Sequence, residues 1–163
     1  MIIVKKTGYL RFKNLKFKCA LGKAGIKKKN KEGDNITPSG EFKIIKIYYR
    51  EDRIRKFKTQ IKKIKIKKNM GWCDDPNSPN YNRLIKIPNK YKYEKLYRKD
   101  NVYDLIMAIN YNMKPVIKNK GSAIFIHVAG KNFKKTAGCI ALKKDDLIFL
   151  ASAVRKNQKI YIH

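Results

Sequence analysis

The chain has 163 residues, 43% of them hydrophobic, and carries 41 lysines and arginines against 12 acidic residues, a formal charge of +29. That length supports one well-buried core and is short for two, so a single domain over residues 1–163 is expected. No apolar run approaches the roughly 20 residues of a membrane-spanning helix, and "MIIVKKTGYLRF" has charges where a signal peptide has its apolar stretch. With Met1 as the natural start the expected location is cytoplasmic; with an export signal removed it would be periplasmic. Three cysteines without an export signal read as reduced thiols, because a disulfide framework uses an even number in an oxidising compartment. The charge excess is mostly lysine spread from end to end, as a solvated basic surface would be. It attracts anions in general and specifies no nucleic acid.

In chain order, "YLRFKNLKFKCAL" (residues 9–21) alternates apolar and basic residues, as strands with one face on a core do, and "EFKIIKIYYR" and "IKKIKIKK" repeat the pattern. The Gly-, Lys- and Asn-rich stretch between the first two is a loop closed by a turn at Thr37, Pro38, Ser39 and Gly40. "MGWCDDPNSPNYNR" (70–83) is turn-rich. Its Trp72 and Tyr81 either line a pocket or anchor the loop, and with Arg83 they are the candidates by position for substrate contact. "NVYDLIMAINYN" suits a buried strand or a helix, and its quick termination by "NYN" and Pro115 favours the strand. "GSAIFIHVAG" (121–130) is a short apolar strand carrying His127. "KKDDLIFLASAVRKNQ" has helical spacing at Leu147, Leu150, Ala151 and Val154, Asp145 placed to cap it and basic residues at its end. "KIYIH" is a last strand.

The chemistry is sparse. Of two histidines, one is the terminal His163, which leaves His127 as the imidazole partner for any catalytic cysteine. Cys139 lies twelve positions later, directly behind Gly138, and a hairpin-like return would bring the pair together. A thiol of ordinary pKa about 8.5 becomes a nucleophile when an adjacent imidazolium or favourable dipoles lower that value. The competing reading is a buried histidine and a buried thiol. Cys19, Cys73 and Cys139 are isolated from one another, so no metal site is expected, and "GKAG" lacks the spacing of a phosphate loop, so no cofactor is expected either.

Taken together, "TPSGEF" at 37–42, "FIHVAG" at 125–130, "TAGCIAL" at 136–142 and "KKDDL" at 143–147 resemble the L,D-transpeptidase catalytic-domain family of peptidoglycan enzymes, in order and across essentially the whole chain. The resemblance implies a mainly β fold with a few helices (α+β), a mixed β-sandwich with a C-terminal helix and a final strand. It implies Cys139 as nucleophile, His127 as general base and acid, and Gly138 as the tight turn, with the N–H groups of Gly138 and Cys139 as candidates for the oxyanion hole. Thr136 would orient the loop or the imidazole. Two departures stand beside the nucleophile: many members carry histidine and arginine where this chain has Ala137 and Ala141, and the interval from His127 to Cys139 is short for the family. The implied reaction is acyl transfer through a thioester at the third residue of a stem peptide, with release of D-alanine. Its partners would be peptidoglycan stem peptides or muropeptides. Resolution by water gives an L,D-carboxypeptidase suited to muropeptide recycling, the favoured outcome, and resolution by an amine gives a cross-link.

Two rival readings exist. A basic nucleic-acid-binding module draws on the net charge and on "KYKYEKLYRKD", whose interleaved aromatics and cations suit base stacking. An inactive wall-binding relative draws on Ala137 and Ala141.

Overall fold

A computed structural model describes all residues, 1–163. Fourteen strands and one α-helix follow in the order β1 (Ile2–Lys5), β2 (Tyr9–Phe12), β3 (Leu15–Ala20), β4 (Ile26–Lys27), β5 (Thr37–Pro38), β6 (Gly40–Tyr49), β7 (Lys63–Lys65), β8 (Met70–Cys73), β9 (Leu84–Lys86), β10 (Tyr93–Lys95), β11 (Leu105–Ile109), β12 (Phe125–Val128), β13 (Ile140–Leu142), α1 (Lys144–Ala153) and β14 (Lys159–Ile162). The fold is mainly β with one helix near the C-terminus and a final strand, as the sequence implied.

Alternation makes the N-terminal meander. Ile2, Val4, Leu10 and Phe12 point into the core while Lys5, Tyr9 and Arg11 stay exposed, which is the period-2 pattern of a one-sided sheet. The long β6 closes the architecture. Its residues 40–43 pair with β14 and its residues 44–49 pair with β11, so the order β11-β12-β13-β3-β2-β1-β14-β6 returns on itself. Inside lies a cluster of 24 buried residues, to which α1 adds Leu147, Leu150 and Ala151. A separate three-stranded sheet, β10-β8-β9, covers the outer face of β6, β11 and β12. Between the layers sits a second, more aromatic cluster built on Tyr48, Trp72, Tyr103 and Phe125.

This layering explains why "LIMAI" in β11 is buried at every position. Leu105, Met107 and Ile109 face the large core, and Ile106 and Ala108 face the aromatic one. The segment over residues 50–61 packs Ile54 and Ile61 into the large core. It is tied down where the buried Asp104 accepts from Arg53 at 3.1 Å and from Lys144 at 2.9 Å.

The helix departs from expectation at both ends. Its N-cap position is Lys143 with no side-chain cap, and Asp145 and Asp146 lie in the first turn, where they complement the helix dipole instead of capping. The last turn holds no basic residue, because the chain turns extended at Val154 before Arg155 and Lys156 arrive. Strand extents also differ. "IKKIKIKK" forms strand only at Lys63–Lys65, while "MGWC", read as part of a turn-rich stretch, is strand β8. Three-residue strands such as β9 and β10 are too short to show alternation, so their pairing with β8 comes from the layer they join.

Candidate active site

Strands β12 and β13 lie side by side and parallel, with Ile126 beside Ile140, His127 beside Ala141 and Val128 beside Leu142. Ile126, Val128, Ile140 and Leu142 enter the large core. The alternate positions, Phe125, His127, Cys139 and Ala141, therefore share the opposite face, below the small sheet. With neighbouring strands about 4.8 Å apart and a rise of about 3.3 Å per residue, Cys139 stands one diagonal step from His127, about 8 Å between Cα atoms. Both side chains line one cleft of about 790 Å³, within the range of small-ligand sites.

The turn before Cys139 is held on three sides. Its edge is pinned to the preceding segment by Thr136 N–H donating to Leu21 O and Lys23 N–H donating to Thr136 O, both at 2.9 Å. The Thr136 hydroxyl donates to Cys139 O at 2.6 Å and accepts from Gly138 N–H at 3.1 Å. Gly138 has φ +140°, and a Cβ there would lie 2.8 Å from Ile36 O, so no side chain fits the close approach. "TPSG" acts one layer further out. Thr37 is fully buried, and its hydroxyl accepts the Gly22 N–H at 2.8 Å, beside the bridge between Gly22 and Thr136.

Of the two oxyanion-hole candidates, the Gly138 N–H donates to the Thr136 hydroxyl. The Cys139 N–H makes no backbone hydrogen bond and remains available. Thr136 sits at the turn before Cys139, and no hydrogen bond joins it to the imidazole.

The His127 ring is 6% exposed, and its Nδ1 is 2.9 Å from Val128 O. A carbonyl only accepts, so Nδ1 carries the proton and Nε2 keeps its lone pair. Tyr103 packs edge-on against the ring with centroids 5.5 Å apart. The Cys139 thiol accepts from Phe125 N–H at 3.3 Å and donates to Ala123 O at 3.0 Å, so at rest it is not bonded to the imidazole. Burial pushes the Cys139 thiol up to about 12. Burial also pushes His127 down to about 4, against the opposing effect of its bond to Val128. The expected imidazolium-acidified thiolate is therefore replaced by a neutral thiol beside a neutral imidazole, because desolvation disfavours charge on either partner.

The cleft wall opposite comes from residues with no sequence motif. Tyr103 donates its hydroxyl to Glu94 at 2.8 Å, and burial raises the Glu94 carboxyl. Arg98 lines the same cleft, bonds Asp100 through two nitrogens at 2.9 and 2.6 Å, and stands over the Tyr103 ring. Lys29, nearly buried, pairs with Asp34, and the Asp34 carboxylate also accepts the N–H groups of Asn30, Lys31 and Ile36, ordering the lysine-rich loop.

The three aromatic and cationic substrate candidates sit elsewhere. Trp72 is 4% exposed, wedged between Tyr48 and Phe125, with its indole N–H on Asn82 at 3.0 Å. It is a core anchor and does not line the cleft. Tyr81 is buried, bonding Glu32 with its hydroxyl and accepting from Gly121 N–H at 3.0 Å. Arg83 lines a separate hollow of about 440 Å³ with Lys114 and Lys118. The residue missed in that stretch is Asn82, which is 2% exposed. Its Oδ1 accepts from Trp72 and from Ala123 N–H, each at 3.0 Å, while its Nδ2 donates to Tyr111 O and Asn112 O. Asn82 thus fixes residue 123, whose carbonyl holds the thiol. Nothing in "NYNR" separates Asn82 from Asn80 along the chain; the positive φ of Asn82, a conformation asparagine tolerates, emerges only in the fold.

Ala141, 1% exposed beside His127, and Ala137, exposed on the turn, place no polar group next to Cys139. In "KYKYEKLYRKD", Leu96 is fully buried, Arg50 stacks on Tyr97 at 3.6 Å, and Tyr91, Tyr93 and Tyr97 are half-buried. All three cysteines are free thiols. No helix is long and apolar enough to cross a membrane.

No curated protein matches the chain. The family of L,D-transpeptidase catalytic domains, YkuD, matches residues 1–162. A cleft that gathers one cysteine and one histidine from adjacent strands fits that match over essentially its full length, and the chain belongs to this cysteine-dependent family of peptidoglycan enzymes.

Proposed function

We propose that the protein is a stem-peptide L,D-carboxypeptidase in which Cys139 is the nucleophile and His127 the general base and acid. The observation that carries this reading is the placement of His127 and Cys139 on one face of two adjacent parallel strands, with Nε2 unprotonated and the cleft open before both. Because both groups rest neutral, the thiol proton moves to His127 Nε2 as sulfur leaves the Ala123 carbonyl and attacks the carbonyl of the third-position diamino acid. Negative charge on the tetrahedral oxygen faces the free Cys139 N–H, and one such donor is typically worth about 2.7–4 kcal/mol in the barrier. Collapse breaks the C–N bond, His127 protonates the departing D-alanine amine, and a thioester on Cys139 remains. Water, deprotonated by His127, then releases the tripeptide.

Hydrolysis is favoured over amine transfer because Ala137 and Ala141 leave the surroundings of the nucleophile without a polar anchor for a second peptide. Arg98 lines the cleft wall, and its Nη1, which its fork to Asp100 does not use, suits the carboxylate of the leaving D-alanine. Cytoplasmic soluble muropeptides fit this reading as substrates.

The test is incubation with a free tetrapeptide or disaccharide-tetrapeptide, followed by mass spectrometry for D-alanine loss. The expected product is tripeptide from the wild type and none from Cys139→Ala. Equal output from the two would sink the assignment. Added D-methionine separates the acceptors: exchange at the fourth position reports amine transfer.

A further inference from the structure

In a chain with 41 cationic and 12 acidic residues, three of the acids, Glu32, Asp74 and Glu94, line the one cleft that holds Cys139. The cations around them are mostly committed elsewhere. Lys29 is paired with Asp34 and Arg98 with Asp100, while Lys92 reaches Asp74 only at 3.9 Å from a side chain that is 76% exposed. Lys95, Lys134 and Lys135 are exposed at the rim. Two buried polar atoms have no hydrogen-bond partner in the whole protein, Asp74 Oδ1 and Ser122 Oγ, and both residues line this cleft. Ser122 is 6% exposed and adjoins the Tyr81 hydroxyl, which in turn donates to Glu32. Glu32 is near enough to Asp74 to help raise its carboxyl above the ordinary value, after burial itself. Buried acceptors left unpaired are costly, and the lysine that approaches, Lys92, stops 3.9 Å from the other Asp74 oxygen.

We propose that Asp74, Glu32 and the Ser122 hydroxyl form a subsite that receives a primary ammonium group of the peptide substrate. The inference rests on the stem-peptide reading above and deepens it. An ammonium has three donors and no acceptor, matching the unpartnered Asp74 oxygen and Ser122 hydroxyl together with the Glu32 carboxylate, which keeps acceptor capacity beyond its bond from Tyr81. Two ammonium groups have the required chemistry: the side-chain amine of the diamino acid under attack, and the amine of an incoming acceptor.

The test uses tetrapeptide donors whose third residue is lysine, Nε-acetyl-lysine or norleucine, with D-alanine release read by mass spectrometry. If the donor amine is bound, wild type prefers lysine over the other two by at least about tenfold, mainly through KM, and Asp74→Asn brings that ratio to within about threefold. If the acceptor amine is bound, the donor ratio is flat, and Asp74→Asn instead lowers D-methionine exchange relative to hydrolysis by about tenfold. Cleavage that persists with both ratios unchanged in Asp74→Asn and Glu32→Gln overturns the subsite and leaves the nucleophile assignment standing. If wild type cleaves no donor, the functional reading fails and calorimetry on Cys139→Ala decides the subsite. Tighter binding of the lysine than of the norleucine tripeptide, lost on adding Asp74→Asn, upholds it; equal binding or none overturns it.

Discussion

The two faces of the β12–β13 pair are neighbours on the same backbone and obey different physics. The inner face holds Ile126, Val128, Ile140 and Leu142 against α1 and buries only hydrocarbon. The outer face holds Phe125, His127 and Cys139, and around them the protein buries a thiol, an imidazole and carboxylates at a cost in solvation. On the proposed function, stability is concentrated on one side and reactivity on the other, so substitutions on the two faces should separate cleanly.

The largest expected effect is on the outer face. Cys139→Ala should lower turnover by at least about 10³-fold while leaving the melting temperature nearly unchanged, measured by D-alanine release and calorimetry together. A large loss of stability in this variant would break the division of labour. On the inner face, Ile140→Ala should cost about 2–5 kcal/mol in chemical denaturation, because its side chain is fully buried and the ring of strands cannot collapse onto the gap.

A titration sharpens the contrast. His127 is held down at about 4 in the folded protein and is ordinary, near 6.5, when unfolded. Between these values the unfolded chain binds more protons, so stability falls as pH drops from about 6.5 towards 4, by up to about 3 kcal/mol at the lower end. His127→Asn should remove that slope. The acid limb of kcat/KM should likewise lie near pH 4; a limb near 6.5 would mean that the imidazole is not held neutral by burial.

Asn82→Ala tests whether the two regions communicate. It strands the Trp72 and Ala123 N–H groups, for a loss of about 1–3 kcal/mol, and releases the carbonyl that holds the thiol, so Cys139 alkylation kinetics should change with it. An unaltered alkylation rate would show that residue 123 keeps its place without Asn82. Smallest is Asp145→Asn, about 0.3–1 kcal/mol through the helix dipole, with no effect on turnover.

Much of this was legible in the residues. Alternation in "YLRF" and "KIYI" follows from one-sided burial, which is a local property, and the "TAGC" turn declares itself because only glycine accepts the backbone at residue 138. The helix cap was misread because Lys143 and Asp145 differ by two positions, within the uncertainty with which a sequence places a helix start. For Trp72 and Tyr81 the sequence leaves pocket lining and loop anchoring open, since polar neighbours along the chain do not report a second sheet folding over them; the structure makes Trp72 an anchor and sets Tyr81, itself buried, in the wall of the hollow beside Arg83.

By itself, then, the sequence determined the family and the strand-rich class and singled out His127 and Cys139 as the candidate pair, because motif spacing and alternation are written along the chain. Only the tertiary structure decided that the thiol and imidazole rest neutral, that the Thr136 hydroxyl takes the Gly138 N–H, and that Glu32, Asp74 and Ser122 line one cleft. Those outcomes depend on desolvation and on contacts between distant segments, and the packing of the small sheet over the ring sets both.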